Sequence, residues 1–174
     1  MPTRRKRPSV PTAFDLLGGT RTLSASGKKR IKAAVEAEID VFLTGAGVKE
    51  PERLSDRRGG RYLPFEKTPA YMCVEELDGE LYLRVEAKVM DMPDGRDAQF
   101  ALMVELLEIN TTVAGVHRLG VEDGLVIAAG AENLRALGDP GMFIQHIEQV
   151  VEFAESAQKQ LRRRPRRAGD ARRR

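Results

Sequence analysis

The sequence predicts an α+β domain: an antiparallel sheet of two hairpins with helices packed on it, in the order α-(β)ββ-α-ββ-α. Three observations carry this. Asp78-Gly79 and Asp123-Gly124 each lie between two strand-like runs, where a type I′ turn needs positive φ. Along residues 80–89, Leu81, Leu83, Val85, Ala87 and Val89 alternate with Glu80, Tyr82, Arg84, Glu86 and Lys88, so one sheet face packs and the other is wet. Between the hairpins, residues 97–110 (DAQFALMVELLEIN) are apolar around most of a helix and leave a polar stripe at Asp97, Glu105 and Glu108.

The elements follow in order. Residues 1–22 hold TRRKRP, three prolines, Gly18 and Gly19, and read as a mobile arm with a short docking turn at 13–17 (AFDLL). Ser26 is the expected N-cap of a first helix reaching residue 44, with Ile31, Ala34, Val35, Ile39, Phe42 and Leu43 as its buried stripe. Gly45 and Gly47 stop it. Lys28, Lys29, Arg30 and Lys32 crowd its first turn, where the helix dipole disfavours cations, and read as a solvated basic face. Residues 48–60 are expected to be irregular. RYLPFE at 61–66 is a short strand that Pro64 confines to an edge. The first hairpin pairs 71–77 with 80–89. MPDG at 92–95 breaks the chain before the apolar helix, and Asn110-Thr111-Thr112 ends that helix. The second hairpin pairs 115–121 with 125–131, and Leu125 to Ala129, apolar on both faces, mark the more central strand. A connection over 132–141 leads to a last helix at 142–161, with Phe143, Ile147, Val150, Val151, Ala154 and Leu161 on one face and Glu148, Glu152 and Glu155 on its flank. The expected organisation is therefore a basic, mostly flexible arm (1–25), one α+β domain (26–161) and a disordered Arg-rich tail (162–174).

The net charge of +3 conceals a strong polarity. Residues 1–32 carry nine Lys/Arg against Asp15, residues 159–174 carry nine against Asp170, and the body between holds 11 against 24 Asp/Glu. Arg4, Arg5, Lys6 and Arg7, with Arg162, Arg163, Arg164, Arg166 and Arg167, are candidate contacts to nucleic acid or another polyanion. No aromatic residue follows Phe153, so base stacking has no platform in the tail, and such binding would be sequence-blind and salt-dependent. A solubilising tail, shielding of the acidic body and docking onto an acidic protein are the other electrostatic uses.

No catalytic constellation stands out. His117 and His146 have no metal-ligand spacing, Cys73 sits in a strand among apolar residues, and Glu75, Glu76 and Asp78 are too close in a hairpin to make an acid–base pair across a cleft. No Walker or Rossmann glycine pattern is present. The expectation is a protein that is not an enzyme and has no cofactor and no metal. A single cysteine excludes an intrachain disulfide. No apolar run approaches twenty residues and the N-terminus lacks an apolar segment of signal type, so a bacterial-type cytoplasmic protein with no membrane partner is expected.

The first helix, the LPFE segment, DGELYLRVEAKV, the run LMVELLEINTTVAGVHRLGVEDGLVIAA and the closing helix together resemble the type III secretion chaperone-like superfamily, which includes the Tir chaperones and YbjN-type proteins. The resemblance covers about residues 28–161. It implies a secretion-chaperone-like fold and a non-enzymatic, commonly dimeric protein that holds extended segments of a client protein. It also implies that the helix between the hairpins is a subunit contact, with Phe100, Met103, Leu106 and Leu107 as candidates. A second copy of the chain is one cover for that helix; the first and last helices of the same chain are the other. Tyr71 and Tyr82 on the first hairpin are candidate client contacts, or ordinary strand-surface tyrosines. The connection over 44–67 and the basic arms depart from the family pattern, and a secreted effector is not implied as the client.

Overall fold

The alternation along residues 80–91 builds the central strand around which everything else is laid. The structure, a computed structural model, describes residues 24–163 apart from 46, 57–59, 64, 66–67, 114–116 and 138–139. The segment at 13–17 expected to form a docking turn lies outside the described residues.

Helix α1 (Ala25–Gly45) is followed by a 3-10 turn (Pro51–Leu54), strands β1 (Arg61–Leu63), β2 (Ala70–Leu77) and β3 (Glu80–Asp91), helix α2 (Arg96–Thr112), strands β4 (Arg118–Glu122) and β5 (Leu125–Asn133), a short helix α3 (Leu134–Leu137) and helix α4 (Pro140–Arg163). The strands form one antiparallel sheet in the order β1-β2-β3-β5-β4. Both hairpins turn on residues with positive φ, 50° and 84° at Asp78-Gly79 and 49° and 76° at Asp123-Gly124, as the type I′ geometry demands. β5 lies inside the sheet and β4 at its edge, as the two-sided apolar run of β5 requires. β1 is a three-residue edge strand.

One face of the sheet is the core. Leu81, Leu83, Val85, Ala87 and Val89 of β3, Met72 and Val74 of β2, and Val126 and Ala128 of β5 are buried with Ile31, Val35, Ile39 and Leu43 of α1 and Phe143, Ile147, Val150 and Ala154 of α4. Two polar contacts fasten these layers. Arg61 of β1 forks onto Asp40 of α1, Nε to Oδ1 at 2.9 Å and an Nη to Oδ2 at 3.3 Å. The β3–β5 register shifts between Lys88 and Met90, and the Gln158 amide of α4 donates to the carbonyl of Val89 at that irregularity (2.9 Å).

Several boundaries differ from those expected. Ser24, rather than Ser26, caps α1: its carbonyl accepts the first helical bond from Lys28 (2.9 Å) and its hydroxyl accepts from the Gly27 backbone N–H (3.2 Å). Lys28 reaches across to Glu76 at 2.7 Å, so one cation of the crowded first turn belongs to an ion pair. β1 ends at Leu63 and β4 begins at Arg118. The expected connection over 132–141 is instead the end of β5, the helix α3 and the start of α4, because Leu134 and Leu137, one turn apart, are both buried and Asn133 Oδ1 accepts from the Arg135 N–H (2.9 Å). α4 runs on to Arg163, two residues past the expected end.

Candidate functional site

Helix α2 packs on the edge strand β4. Its hold there is specific: the Asn110 amide donates to the Leu119 carbonyl (2.9 Å) and accepts from the Leu119 N–H (2.8 Å), so it satisfies the outer edge of β4 as another strand would. Leu102, Leu106 and Ile109 are the buried residues of the helix. On the opposite side Phe100 is 71% exposed, Leu107 64%, Met103 45% and Val104 41%, all within an arc of about 100°. The terminal helices leave this stripe uncovered. Of the four residues expected at a subunit contact, Phe100, Met103 and Leu107 are on the free side. Leu106 is corrected: at 4% exposure it belongs to the chain's own core. Val104 joins the stripe instead, a neighbour that helical spacing from Phe100 and Leu107 already implied.

The second surface is the sheet face away from the helices. Tyr71, Tyr82, Arg84, Glu86 and Lys88 lie along it, with Tyr62 58% exposed beside Tyr71. Tyr62 and Tyr71 are register partners whose rings stand 5.2 Å apart, tilted by 56°. The Tyr71 hydroxyl donates to Asp56 Oδ2 (2.8 Å), and the Gly60 N–H donates to Asp56 Oδ1 (2.8 Å). Gly60 is required here, since a Cβ would stand 1.9 Å from the Tyr71 hydroxyl oxygen. Burial, and then the bond to Asp56, raise the Tyr71 phenol well above its ordinary pKa, so it stays a donor. Arg84 gathers Glu75 (3.3 Å), Glu122 (3.2 Å) and Glu86 around one guanidinium. Burial raises the Glu86 pKa, an effect that Arg84 opposes. Between the tyrosines and these carboxylates runs a groove of about 380 Å³ floored by Leu125 and Ile127. Cys73 is half-buried on the same face; burial, and then Glu75, push its thiol up to about 11, which makes it a poor nucleophile.

The two histidines, far apart in sequence, meet. His117 and His146 stack with ring centroids 6.0 Å apart, and Phe153 lies 5.8 Å from His117. Both imidazoles have a lowered pKa, chiefly from burial, with His117 acting further on His146 and Arg118 on His117; Glu132 opposes the shift at both. The folded state therefore resists protonation that the unfolded chain accepts near its ordinary value of about 6.5. Stability is expected to be fully present above that value and to fall as pH drops below it. Thermal melts between pH 7.5 and 5.5 check this: the midpoint should decline in the wild type and change less in His146→Leu.

Among the described residues, no group of three or more His, Cys, Asp or Glu could hold a metal ion, and no helix is long and apolar enough to cross a membrane. Of the candidate polyanion contacts, Arg162 and Arg163 are exposed at the end of α4, while Arg4, Arg5, Lys6, Arg7, Arg164, Arg166 and Arg167 lie outside the described residues.

A sheet covered on one face, with an apolar-striped helix along its edge and helices at both ends of the described residues, defines an α+β fold. Among solved structures it is similar to a chain of the crystal structure of the ExsC–ExsE complex, at a TM-score of 0.51 and 19% identity, covering 74% of this chain and 93% of that one. No family model and no curated relative matches the sequence.

Proposed function

We propose that the protein is a non-catalytic protein-binding module, a chaperone or adaptor for a client protein, acting as a homodimer in a bacterial cytoplasm. The stripe of Phe100, Met103, Val104 and Leu107 on α2 carries this reading. Four neighbouring apolar side chains left in water are costly, and a two-fold pairing of the same helix with itself is the simplest way to cover them. The likeness to a chain crystallised within a complex supports a protein partner. In this reading Tyr71 and Tyr82, joined by Tyr62, contact an extended client segment, since tyrosine offers ring area with a polar tip.

Size exclusion with light scattering tests the dimer: the expected mass is twice the 19.3 kDa of one chain. A monomer at micromolar concentration would sink the proposal. Capture of a client from the native cell should persist when residues 1–8 and 162–174 are removed. If capture fails and a salt-sensitive nucleic-acid shift vanishes with those arms, the protein is a polyanion binder and its body a scaffold.

A further inference from the structure

We propose that the C-terminal segment of this chain, residues 164–174, docks into the tyrosine–carboxylate groove on the open sheet face.

The groove suits guanidinium groups. Glu86 and Glu122 line it and converge, with Glu75, on Arg84, so three carboxylates meet one cation. Asp123 adds a fourth acid at the rim, and the one lysine of the lining, Lys88, is held by Asp91 at 2.9 Å. Tyr62 and Tyr71 supply ring faces on which a planar cation stacks. Carboxylate forks beside aromatic faces are the setting in which arginine outperforms lysine. All three tyrosines of the chain lie on this face.

The segment is made for such a surface. Its eleven residues, RPRRAGDARRR, hold six arginines against Asp170. Its starting point is close. Gln158 of α4 donates to the carbonyl of Val89, next to Lys88 at the groove, so the last turns of α4 lie against the same end of β3 on the opposite face. From there to Arg163 is about 7.5 Å of helix. Eleven further residues reach up to roughly 36 Å when extended, a length that can carry the segment round the end of the sheet to its open face. The N-terminal arm starts less favourably: Lys28 pairs with Glu76, which puts the start of α1 at the Asp78-Gly79 end of the sheet, while the groove borders Ala70 and Ala87 at the other end.

The docking stands independently of whether α2 forms a dimer. A nitroxide on Ala171→Cys in a full-length Cys73→Ser chain, read by amide relaxation in NMR, tests it. Signals of Tyr62, Tyr71, Lys88 and Ile127 should be quenched at about 0.1 M salt and recover near 1 M, where the screening length falls to about 3 Å. The quenching should also vanish in Arg164→Ser/Arg166→Ser/Arg167→Ser, which leaves the folded body untouched, and in Glu86→Gln/Glu122→Gln. Quenching elsewhere on the body, none at all, or quenching that survives the tail substitutions would overturn the proposal. So would quenching seen only between labelled and isotope-enriched copies, which would make a second chain the occupant. A label on Ser9→Cys that quenches the groove in place of the tail label would assign it to the N-terminal arm and equally refute the tail.

Discussion

Substituting glutamate for both Phe100 and Leu107 is expected to turn the proposed dimer into a folded monomer. The two side chains lie seven residues apart on one line of α2, 71% and 64% exposed, on the side away from the buried Leu102, Leu106 and Ile109. In a two-fold interface each substitution occurs twice, so the pairing would bring four carboxylates together in a desolvated patch. Central apolar anchors commonly contribute about 2 kcal/mol or more each, so the dimer should weaken by at least about a hundredfold. Light scattering reads the mass, and an unchanged far-ultraviolet circular dichroism spectrum and melting midpoint show that the monomer is folded. Leu106→Glu should behave in the opposite way. Its carboxylate would be buried against β4 with no partner, and the chain should unfold rather than dissociate. If the double variant keeps the wild-type mass, α2 is not the subunit contact.

Gly130→Val is expected to cost about 3 kcal/mol of stability, a drop of roughly 10 °C in melting midpoint for a chain of this size. Gly130 sits in β5 opposite Val85, where α4 crosses the sheet. A Cβ there would stand 2.8 Å from both His117 Cδ2 and Val150 Cγ2, and 3.2 Å from His146 Cε1. The backbone of Gly130 is ordinary strand, so the cost is one of space alone. Valine adds two methyl groups to a site already too tight for one carbon, and α4 and the histidine pair must move. Gly130→Ala should cost less, and combining it with Val150→Ala should cost less than the sum of the two, because loss of Val150 Cγ2 makes room for the methyl added. Chemical denaturation of the four proteins checks the ordering. An additive result would mean that α4 does not pack on Gly130 in this way.

Much of the fold was legible because its signals are local. An Asp-Gly pair between alternating runs constrains two backbone dihedrals at once, and period-2 alternation assigns each strand its faces. The two-sided apolar run of β5 placed it inside the sheet. Local signals fade at element ends: α3 reads as loop until Leu134 and Leu137 find the core, and α1 is capped by Ser24 rather than the expected Ser26, because the Ser24 hydroxyl meets the Gly27 N–H. Tyr62 was missed as a surface tyrosine because its partner, Tyr71, is set by cross-strand register. The histidine pair with Gly130 was missed because its members come from three separate parts of the chain, which only the closed fold brings together.

The middle helix divides these two kinds of knowledge most clearly. Sequence alone determined that residues 97–110 form a helix with more apolar surface than one neighbour can cover, because side-chain spacing on a helix follows from backbone geometry. It could not decide which apolar sector faces inward, since Leu106 and Leu107 are chemically alike and adjacent. Tertiary structure decided that. The Asn110 amide binds both backbone groups of Leu119, and this fixes the rotation of α2 about its axis. Leu102, Leu106 and Ile109 then turn into the core, and Phe100, Met103, Val104 and Leu107 are left facing water.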